Sequence, residues 1–535
     1  METLYYGGSI ITMNHNSENV EAVLIDDWKI KEVGTLEVCK ASVQHDDAKM
    51  IDLQGKTLMP SFIDPHSHMS LVGPVAEMCD LHACNNFDDI VSTLKSCENA
   101  KGADAPDVIL GFGYDHNFLD EGEHPTKHVL NQVSVEKPVL IMHASGHVGS
   151  SNDATLTKAG IDRNTPDAEG GHIGREDDSM EPNGYLEEAN LMELRHTVLS
   201  GQSFDFYKLA VKGQDVYTSN GITTVQDGAT GADSLELLKA LSENEQLKVD
   251  VVAYPTIADN QEGLSKNQAY VKNYYKRLKI NGYKMFLDGS PQGKTAWMTE
   301  PYAGEDTYRG YPSHSDEQVK DYARQAIYDN VQLLTHCNGD AASDQLLQNY
   351  EAALEETGDP HKNYLRPVMI HAQTVRNDQL DKMAELAMIP SIFNAHTYYW
   401  GDIHLKNLGD KRGRRISPAK SAFDRGLVVN FHQDSPVIKP DMLHTIWSAV
   451  NRTTRQGQSI GPEERVDVYD ALKAVTINAA YAYFEEDQKG SITKGKLADL
   501  VILDQNPLAI DKDKLKDIQI VETIKEGETI YQANE

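Results

Sequence analysis

Short apolar runs alternate with longer stretches of helical character through the middle of this 535-residue chain. Eight runs are predicted as strands: residues 61–65, 221–227, 248–254, 282–287, 331–335, 366–370, 388–393 and 427–431. Strands that alternate with helices are typical of parallel sheets with crossover connections. Eight of them predict an α/β fold with a closed (β/α)₈ barrel, the TIM-barrel architecture.

Runs of β type also occupy both ends of the chain. They cover residues 4–13, 22–34 and 50–59 at the start, and residues 490–505 and 518–531 at the end. Their alternation and their polar turns are typical of antiparallel sheets. We therefore expect the two ends to form one small sheet domain together.

The first two predicted barrel strands are separated by residues 66–220, which is far more than one helix needs. We predict an inserted subdomain at about residues 70–205. Within it, residues 163–184 are rich in glycine, proline and acidic side chains without apolar periodicity. This stretch is interpreted as a long loop, either at the barrel mouth or as a solvated connection.

Composition and charge narrow the class of protein. The chain is 40% hydrophobic and 25% charged, which is ordinary for a globular protein. Its formal net charge of −32 argues against binding of nucleic acid or of anionic membranes. The five cysteines include no CxxC pair, so we expect neither a disulfide framework nor a cysteine zinc site. With no leader-like or membrane-spanning run, the sequence predicts a cytoplasmic protein.

Metal-type side chains follow four of the predicted strands. His66 and His68 form an HxH pair after the first strand, where alternation would point both imidazoles to one face. His336 and His371 end the fifth and sixth strands, and Asp434 follows the eighth. A single histidine after an apolar run is more often a core residue than a ligand. Five such residues at matching strand ends predict a metal site.

The ligand types indicate which metal and which chemistry to expect. Imidazole and carboxylate suit Zn²⁺, with manganese, iron and cobalt as alternatives, so we predict one or two divalent ions, most readily zinc. Bound zinc lowers the pKa of its water to about 7. A carboxylate such as Asp434 can then take the proton and pass it to a leaving group.

Lys284 lies on the fourth predicted strand, among these candidate ligands. An ammonium group repels a cation and offers no lone pair. Either Lys284 is a structural or substrate-anchoring lysine, or its amine has captured carbon dioxide to form a carbamate that bridges two metals. The charge of the metals would favour that carbamate.

Four segments together resemble one known family. They are GKTLMPSFIDPHSHM, PVLIMHASGHVGSSNDATL, YKMFLDGSPQGKTAWMTEPY and AVTINAAYAYFEEDQKGSITKGKLADLVILD, in this order. They resemble the amidohydrolase superfamily, and more closely its YtcJ-like branch, also called amidohydrolase 3. The resemblance implies a distorted barrel at residues 59–485 and a β-sandwich built from residues 1–58 and 486–535. It also implies a one- or two-metal hydrolase of non-peptide C–N bonds in small molecules.

The resemblance also assigns roles to individual residues. It implies one metal on His66, His68 and Asp434, a second on His336 and His371, a carboxylated Lys284 between them, Asp434 as proton shuttle, and His147 as a group that polarises the substrate. Two departures concern the pocket: the family usually has Gly-Ser where this chain has His432 and Gln433, and Glu where it has Ile370.

Three readings of the function stay open at this point. The leading one is hydrolysis of an amide-type bond. A deaminase, or a cyclic imide or lactone hydrolase, would use the same ligands. A non-catalytic regulatory protein on this scaffold is the third, although retention of every ligand-type residue speaks against it. A homodimer is left open.

Overall fold

The structure is a computed structural model that describes residues 1–14, 20–102, 106–146, 148–168, 170–199, 205–358 and 362–534. It is a mixed α/β fold. No helix within these residues is long and apolar enough to cross a membrane.

The strands of the described residues are, in chain order, β1 Glu2–Tyr6, β2 Ser9–Ile10, β3 Ala22–Asp26, β4 Lys29–Gly34, β5 Lys49–Asp52, β6 Thr57–Pro60, β7 Phe62–Ile63, β8 Cys79–Asp80, β9 Ile109–Tyr114, β10 Val139–His143, β11 Val148–Ser151, β12 Gly171–Arg175, β13 Pro182–Glu187, β14 Ile222–Thr230, β15 Asp250–Pro255, β16 Leu278–Ile280, β17 Gly282–Phe286, β18 Gln332–Cys337, β19 Val368–His371, β20 Ile389–Ile392, β21 Asn430–Phe431, β22 Leu500–Leu503, β23 Ile520–Lys525 and β24 Glu528–Gln532.

The α-helices are α1 Leu36–Ala41, α2 Met69–Ala76, α3 Phe87–Lys101, α4 Lys127–Leu130, α5 Asp153–Ala159, α6 Glu188–Leu199, α7 Phe206–Thr218, α8 Ala232–Glu243, α9 Glu262–Ser265, α10 Asp316–Tyr328, α11 Asp340–Glu356, α12 Asn377–Glu385, α13 His396–Tyr399, α14 Gly401–Arg414, α15 Ala419–Phe423, α16 Met442–Asn451, α17 Val468–Ala474 and α18 Ile477–Ala482.

Two parallel sheets carry the middle of the chain. One has the order β16-β15-β14-β7 and the other β17-β18-β19-β20-β21, and every pairing within them is parallel. Each of the eight runs predicted as barrel strands overlaps one strand of these sheets. The strands are almost wholly buried, as expected of parallel sheets that are covered on both faces.

Backbone hydrogen bonds link the two sheets where strand pairing stops. Asn281 N donates to Ala253 O at 3.2 Å and Ile257 N to Lys284 O at 2.9 Å. On the other side, His68 N donates to Ser435 O at 2.7 Å. The strand pairing itself remains that of two sheets, and no closed barrel is found among the described strands. The closed form of the barrel therefore stays a prediction.

Strands from the two ends of the chain share a sheet. Its order is β2-β6-β22-β23-β24, and a second sheet, β4-β3-β1-β5, comes from the start of the chain. Apolar side chains of both sheets, including Val23, Leu58, Leu500 and Ile524, form one buried cluster. Burial of these apolar faces stabilises the pair of sheets.

A buried ion network lies at the start of β15. The carboxylate of Asp250 accepts from Lys489 Nζ at 2.5 Å and from Lys525 Nζ at 2.7 Å. Burial opposes its ionisation, but these two ammonium groups hold the pKa of Asp250 far below its usual range. The network joins a parallel strand to residues near the end of the chain.

The chain divides into two compact units, one of which comprises Leu71–Gly213 and Pro436–Ile438. This unit contains the six-stranded sheet β12-β13-β11-β10-β9-β8. Residues 163–184, expected as a long loop, contain β12 and the first half of β13, so the loop interpretation is wrong there. Buried and partly exposed side chains alternate along β13, which is the pattern typical of a strand with one buried face.

A disulfide joins Cys79 and Cys97 in the same unit. The expectation of no disulfide framework is therefore wrong for this pair. The two residues lie on β8 and α3, which pack in one buried cluster and bring the Cα atoms to 5.8 Å, a distance that suits a disulfide.

Candidate metal centre

The HxH pair lies beyond its strand. β7 ends at Ile63, and the chain bends before His66, so the extended strand expected for the pair is not formed. The two rings nevertheless converge, with centroids 5.3 Å apart. The backbone N–H of His68 donates to Ser435 O, which places His68 beside Asp434.

The other candidate ligands come from neighbouring strands. Lys284 lies within β17, His336 within β18, and His371 is the last residue of β19, while Asp434 follows β21 by three residues. His371 has φ +73° and Asp434 has φ +58°, a left-handed conformation that residues other than glycine rarely adopt. Backbone strain of this kind persists where the surrounding structure fixes a functional position.

Asp434 is the point on which three imidazoles converge. Its Oδ1 lies 3.3 Å from His66 Nε2 and 3.1 Å from His68 Nε2, and its Oδ2 lies 3.8 Å from His371 Nε2. Burial opposes ionisation of Asp434, but the hydrogen bond with His68 favours the carboxylate, and the pKa of Asp434 lies well below the usual range. Burial lowers the pKa of His66 and His371, so both imidazoles are neutral, which is the form that binds metals.

Lys284 is completely buried beside this group. Its Nζ lies 3.4 Å from His66 Nε2 and 4.9 Å from the centre of the Phe286 ring. Burial lowers the pKa of Lys284 to about 7, although the charge of Asp434 acts in the opposite direction. A substantial fraction of this amine is therefore neutral at physiological pH.

His336 contacts the group from one side. Its ring meets that of His371 edge to face, with centroids 4.6 Å apart, and its Nδ1 lies 3.3 Å from Asp288 Oδ1. Asp288 also accepts backbone hydrogen bonds from Trp297, Asn338 and Gly339. This carboxylate thus fixes the loops after β17 and β18 and contacts a candidate ligand as well.

The donor set fits a divalent metal ion. One ligand atom each of His66, His371 and Asp434 lies within 4.8 Å of the other two. Two neutral imidazoles and a carboxylate are ligands that suit zinc and related transition metals. His68 shares Oδ1 of Asp434 with His66, so four of the six predicted ligands meet at one carboxylate.

Sequence reasoning missed a glutamine that orients His66. Gln226 Oε1 accepts from His66 Nδ1 at 2.6 Å, while its Nε2 donates to Pro65 O and to the hydroxyl of Tyr483. Since the amide nitrogen is engaged twice, the oxygen faces His66, and the ring keeps its lone pair on Nε2. A buried glutamine inside the apolar run 221–227 was the signal available.

His432 and Ser391 complete the surroundings of His371. His432 Nε2 lies 3.2 Å from His371 Nδ1, and His432 Nδ1 lies 2.9 Å from Ser391 Oγ. Both side chains are completely buried. The sequence marked His432 only as a departure from the resembling family.

His147, predicted to polarise the substrate, lies outside the described residues. A second group of ligand-type side chains, Asp115, His116 and His143, lies in the inserted unit. The backbone N–H of Ser145 donates to His143 Nδ1 at 3.0 Å, so the proton of this ring lies on Nε2, which faces Asp115 Oδ1 at 3.3 Å. In that tautomer the one lone pair of the ring, on Nδ1, is already engaged by the Ser145 N–H and is not available to a metal.

The donor set is that of a candidate metal site where parallel strands end. The chain belongs to the amidohydrolase family, whose sequence model matches residues 49–531. It is 28% identical to the Bacillus subtilis (strain 168) protein YtcJ, which is named as an amidohydrolase, over 99% of this chain and 100% of that protein. It is 26% identical to an N-substituted formamide deformylase of Arthrobacter pascens, over 99% and 98% of the two chains. An uncharacterized metal-dependent hydrolase from Pyrococcus horikoshii OT3 superposes with a TM-score of 0.76 at 26% identity, covering 96% and 99% of the chains.

Proposed function

We propose that this protein is a metal-dependent hydrolase that cleaves an amide-type C–N bond in a small, non-peptide molecule. The observation that carries the proposal is the meeting of His66, His371 and Asp434 within 4.8 Å where parallel strands end. Active sites of barrels built from such strands lie at this end. Similarity to a formamide deformylase supports the class of bond.

In this proposal the two parallel sheets form one distorted (β/α)₈ barrel. His66, His68 and Asp434 hold one divalent ion, and His336 and His371 hold a second. Zinc is the ion that we expect, since imidazole and carboxylate are its common ligands. As a carbamate, Lys284 would supply a further anionic ligand to these ions.

The amine of Lys284 supports that carbamate. Its pKa of about 7 makes the neutral amine accessible, and only the neutral form adds to carbon dioxide. Formation of the N–C bond from the neutral amine releases one proton and gives an anion, and the ammonium form must lose one proton more before it can react. The exchange relieves the repulsion that an ammonium group would exert on the bound ions.

In the proposed reaction, residues of the protein orient the candidate ligands and transfer protons. A bound divalent ion lowers the pKa of a coordinated water molecule and so supplies a nucleophile at neutral pH. Asp434 accepts the proton of the attacking water and delivers it to the leaving nitrogen. The oxygen of water bonds to the carbonyl carbon, the C–N bond breaks, and a carboxylic acid and an amine are released. Gln226 holds His66 in the tautomer that leaves Nε2 for the ion.

A deaminase on the same ligands is the second candidate. Lys284, completely buried 3.4 Å from His66 Nε2, favours the two-metal hydrolase, because a bridging carbamate serves two ions and not one. The two functions differ in product, since a deaminase releases ammonia.

Elemental analysis combined with a substrate panel tests the proposal. We expect one or two divalent ions per chain and turnover of at least one N-formyl, N-acyl or cyclic amide compound, with esters included for comparison. Chelation should abolish turnover and added Zn²⁺ should restore it. Purified protein that holds less than one ion per chain and turns over the same compounds in a chelator would contradict the proposal.

A further inference from the structure

His432 connects a candidate metal ligand to the neighbouring strand. It follows β21 directly, while His371 ends β19 and Ser391 lies in β20 between them. Its Nε2 lies 3.2 Å from His371 Nδ1 and its Nδ1 lies 2.9 Å from Ser391 Oγ. Both ring nitrogens of His432 are therefore engaged.

A neutral imidazole has one N–H and one lone pair, so a ring with two hydrogen bonds donates one and accepts the other. His371 Nε2 faces Asp434 Oδ2 at 3.8 Å and is the nitrogen that would bind a metal. It then needs its lone pair on Nε2 and its proton on Nδ1. That proton is donated to His432 Nε2, and the proton of His432 is donated from Nδ1 to Ser391 Oγ.

The same heavy-atom positions permit the opposite order. If the Ser391 hydroxyl donated to His432 Nδ1, the proton of His432 would lie on Nε2. The proton of His371 would then lie on its own Nε2, towards Asp434, where it would block a metal. His371, His432 and Ser391 are at most 3% exposed, so bulk water does not reach them to supply other partners.

We propose that His432 and Ser391 form a proton relay that holds His371 in its metal-binding tautomer. This inference rests on the proposed function, since it concerns the ligands of that site. His432 is a positioning residue because it acts through His371. Partners that fix the tautomer of a ligating histidine typically account for about 10–100-fold in metal affinity.

The two candidate ligands His66 and His371 are oriented by different means. Gln226 is locked, because its amide nitrogen donates to Pro65 O and the Tyr483 hydroxyl, and its oxygen can only accept. The relay behind His371 ends in a hydroxyl that can donate or accept. Its protons can therefore adopt either order, and metal binding selects one of them.

Metal affinity of the purified protein tests the relay without an activity assay. The dissociation constant for Zn²⁺ is measured by competition with a chelator after metal removal, and the absorption spectrum of bound Co²⁺ reports the ligand set. We expect His432→Leu to weaken Zn²⁺ binding by about 10–100-fold. His432→Gln, whose side-chain oxygen can accept from His371 Nδ1, should recover most of the affinity.

A buried pair elsewhere supplies the matched control. His404 Nε2 lies 3.0 Å from His396 Nδ1, so His404→Leu also removes a buried imidazole bonded to another imidazole. Its partner is not a candidate ligand, and Zn²⁺ affinity should stay at the wild-type value. Unfolding temperatures of the metal-free variants show whether each of them is folded.

Ser391→Ala separates a relay from simple packing. It should weaken Zn²⁺ binding in the wild-type background and add nothing in His432→Leu, because both changes interrupt one chain of protons. Wild-type affinity in His432→Leu, an equal loss in His404→Leu, no recovery in His432→Gln, or full additivity with Ser391→Ala overturns the relay. Wild-type protein that binds no metal overturns the proposed function and the relay together.

Discussion

Gly228 lies against the ring of His66, and replacement by alanine is expected to weaken metal binding. A Cβ at this position would lie 2.5 Å from His66 Cε1 and 2.6 Å from both His66 Nδ1 and Gln226 Oε1. Ordinary van der Waals contact begins at 3.4 Å. The ring must therefore move by about 0.9 Å, in a site that is packed as densely as a protein core.

The size of the effect follows from this displacement. Metal–ligand distances tolerate deviations of about 0.2 Å, so the ring moves well beyond the range in which Nε2 can bind. Overpacking of a buried site costs about 1–3 kcal/mol. With about 1.4 kcal/mol for each tenfold change, that cost corresponds to a loss of about 5–150-fold in metal affinity.

The Zn²⁺ dissociation constant of Gly228→Ala, measured by competition with a chelator, checks this value. Gly231→Ala is the matched control, since no atom lies within 4 Å of a Cβ there and its φ is −71°. Its affinity should equal that of the wild type. If Gly228→Ala also binds Zn²⁺ with unchanged affinity, the ring of His66 is not a ligand held in place by its neighbours, and the reasoning fails.

Three further changes address the shuttle, the bridge and the buried ion network. Asp434→Asn should keep the fold and lower turnover by about 10²–10⁴-fold in steady-state kinetics, with metal content measured alongside. Lys284→Ala should lower metal content and activity, and short carboxylic acids should restore part of both; undiminished metal would contradict the bridge. Asp250→Asn should lower the free energy of unfolding by about 1.5–3 kcal/mol in urea, because Lys489 and Lys525 lose a charged hydrogen-bond partner and keep only Glu485 and Asp499. Asp215→Asn, in an exposed ion pair, should change it by at most about 1 kcal/mol. Since the pKa of Asp250 is lowered by folding, its contribution is present at neutral pH and is lost as the pH falls below about 3.9.

Strand positions were predictable from the sequence because buried parallel strands are short apolar runs. All eight predicted runs overlap strands of the two parallel sheets, while β16, only three residues long, was missed. Residues 163–184 were misjudged because glycine and acidic side chains dominate a hairpin whose inward positions are few. The loop prediction there followed the composition of the stretch and overlooked the alternation of inward and outward side chains.

The ligand-type residues were predictable for a different reason. The carboxyl ends of parallel strands lie at one edge of a sheet, so His336, His371 and Asp434 were expected together from their positions alone. The residues that orient them were not, because a hydrogen bond such as that between His66 and Gln226 joins positions 160 residues apart. A local sequence pattern does not indicate which buried polar side chains form hydrogen bonds with each other in the fold.

Backbone conformation at the candidate ligands is the feature that the sequence predicts least well. His371 and Asp434 adopt left-handed φ values, at a cost of about 1–3 kcal/mol each. At Asp434 that cost is opposed by main-chain hydrogen bonds, since His68 N donates to Ser435 O and Asp434 N to His66 O across the ends of two strands. These bonds form between main-chain atoms and need no metal. The first and last parallel strands therefore position the candidate ligands without an ion, and in the proposed site the tautomers of His66 and His371 would decide whether their Nε2 atoms can accept one.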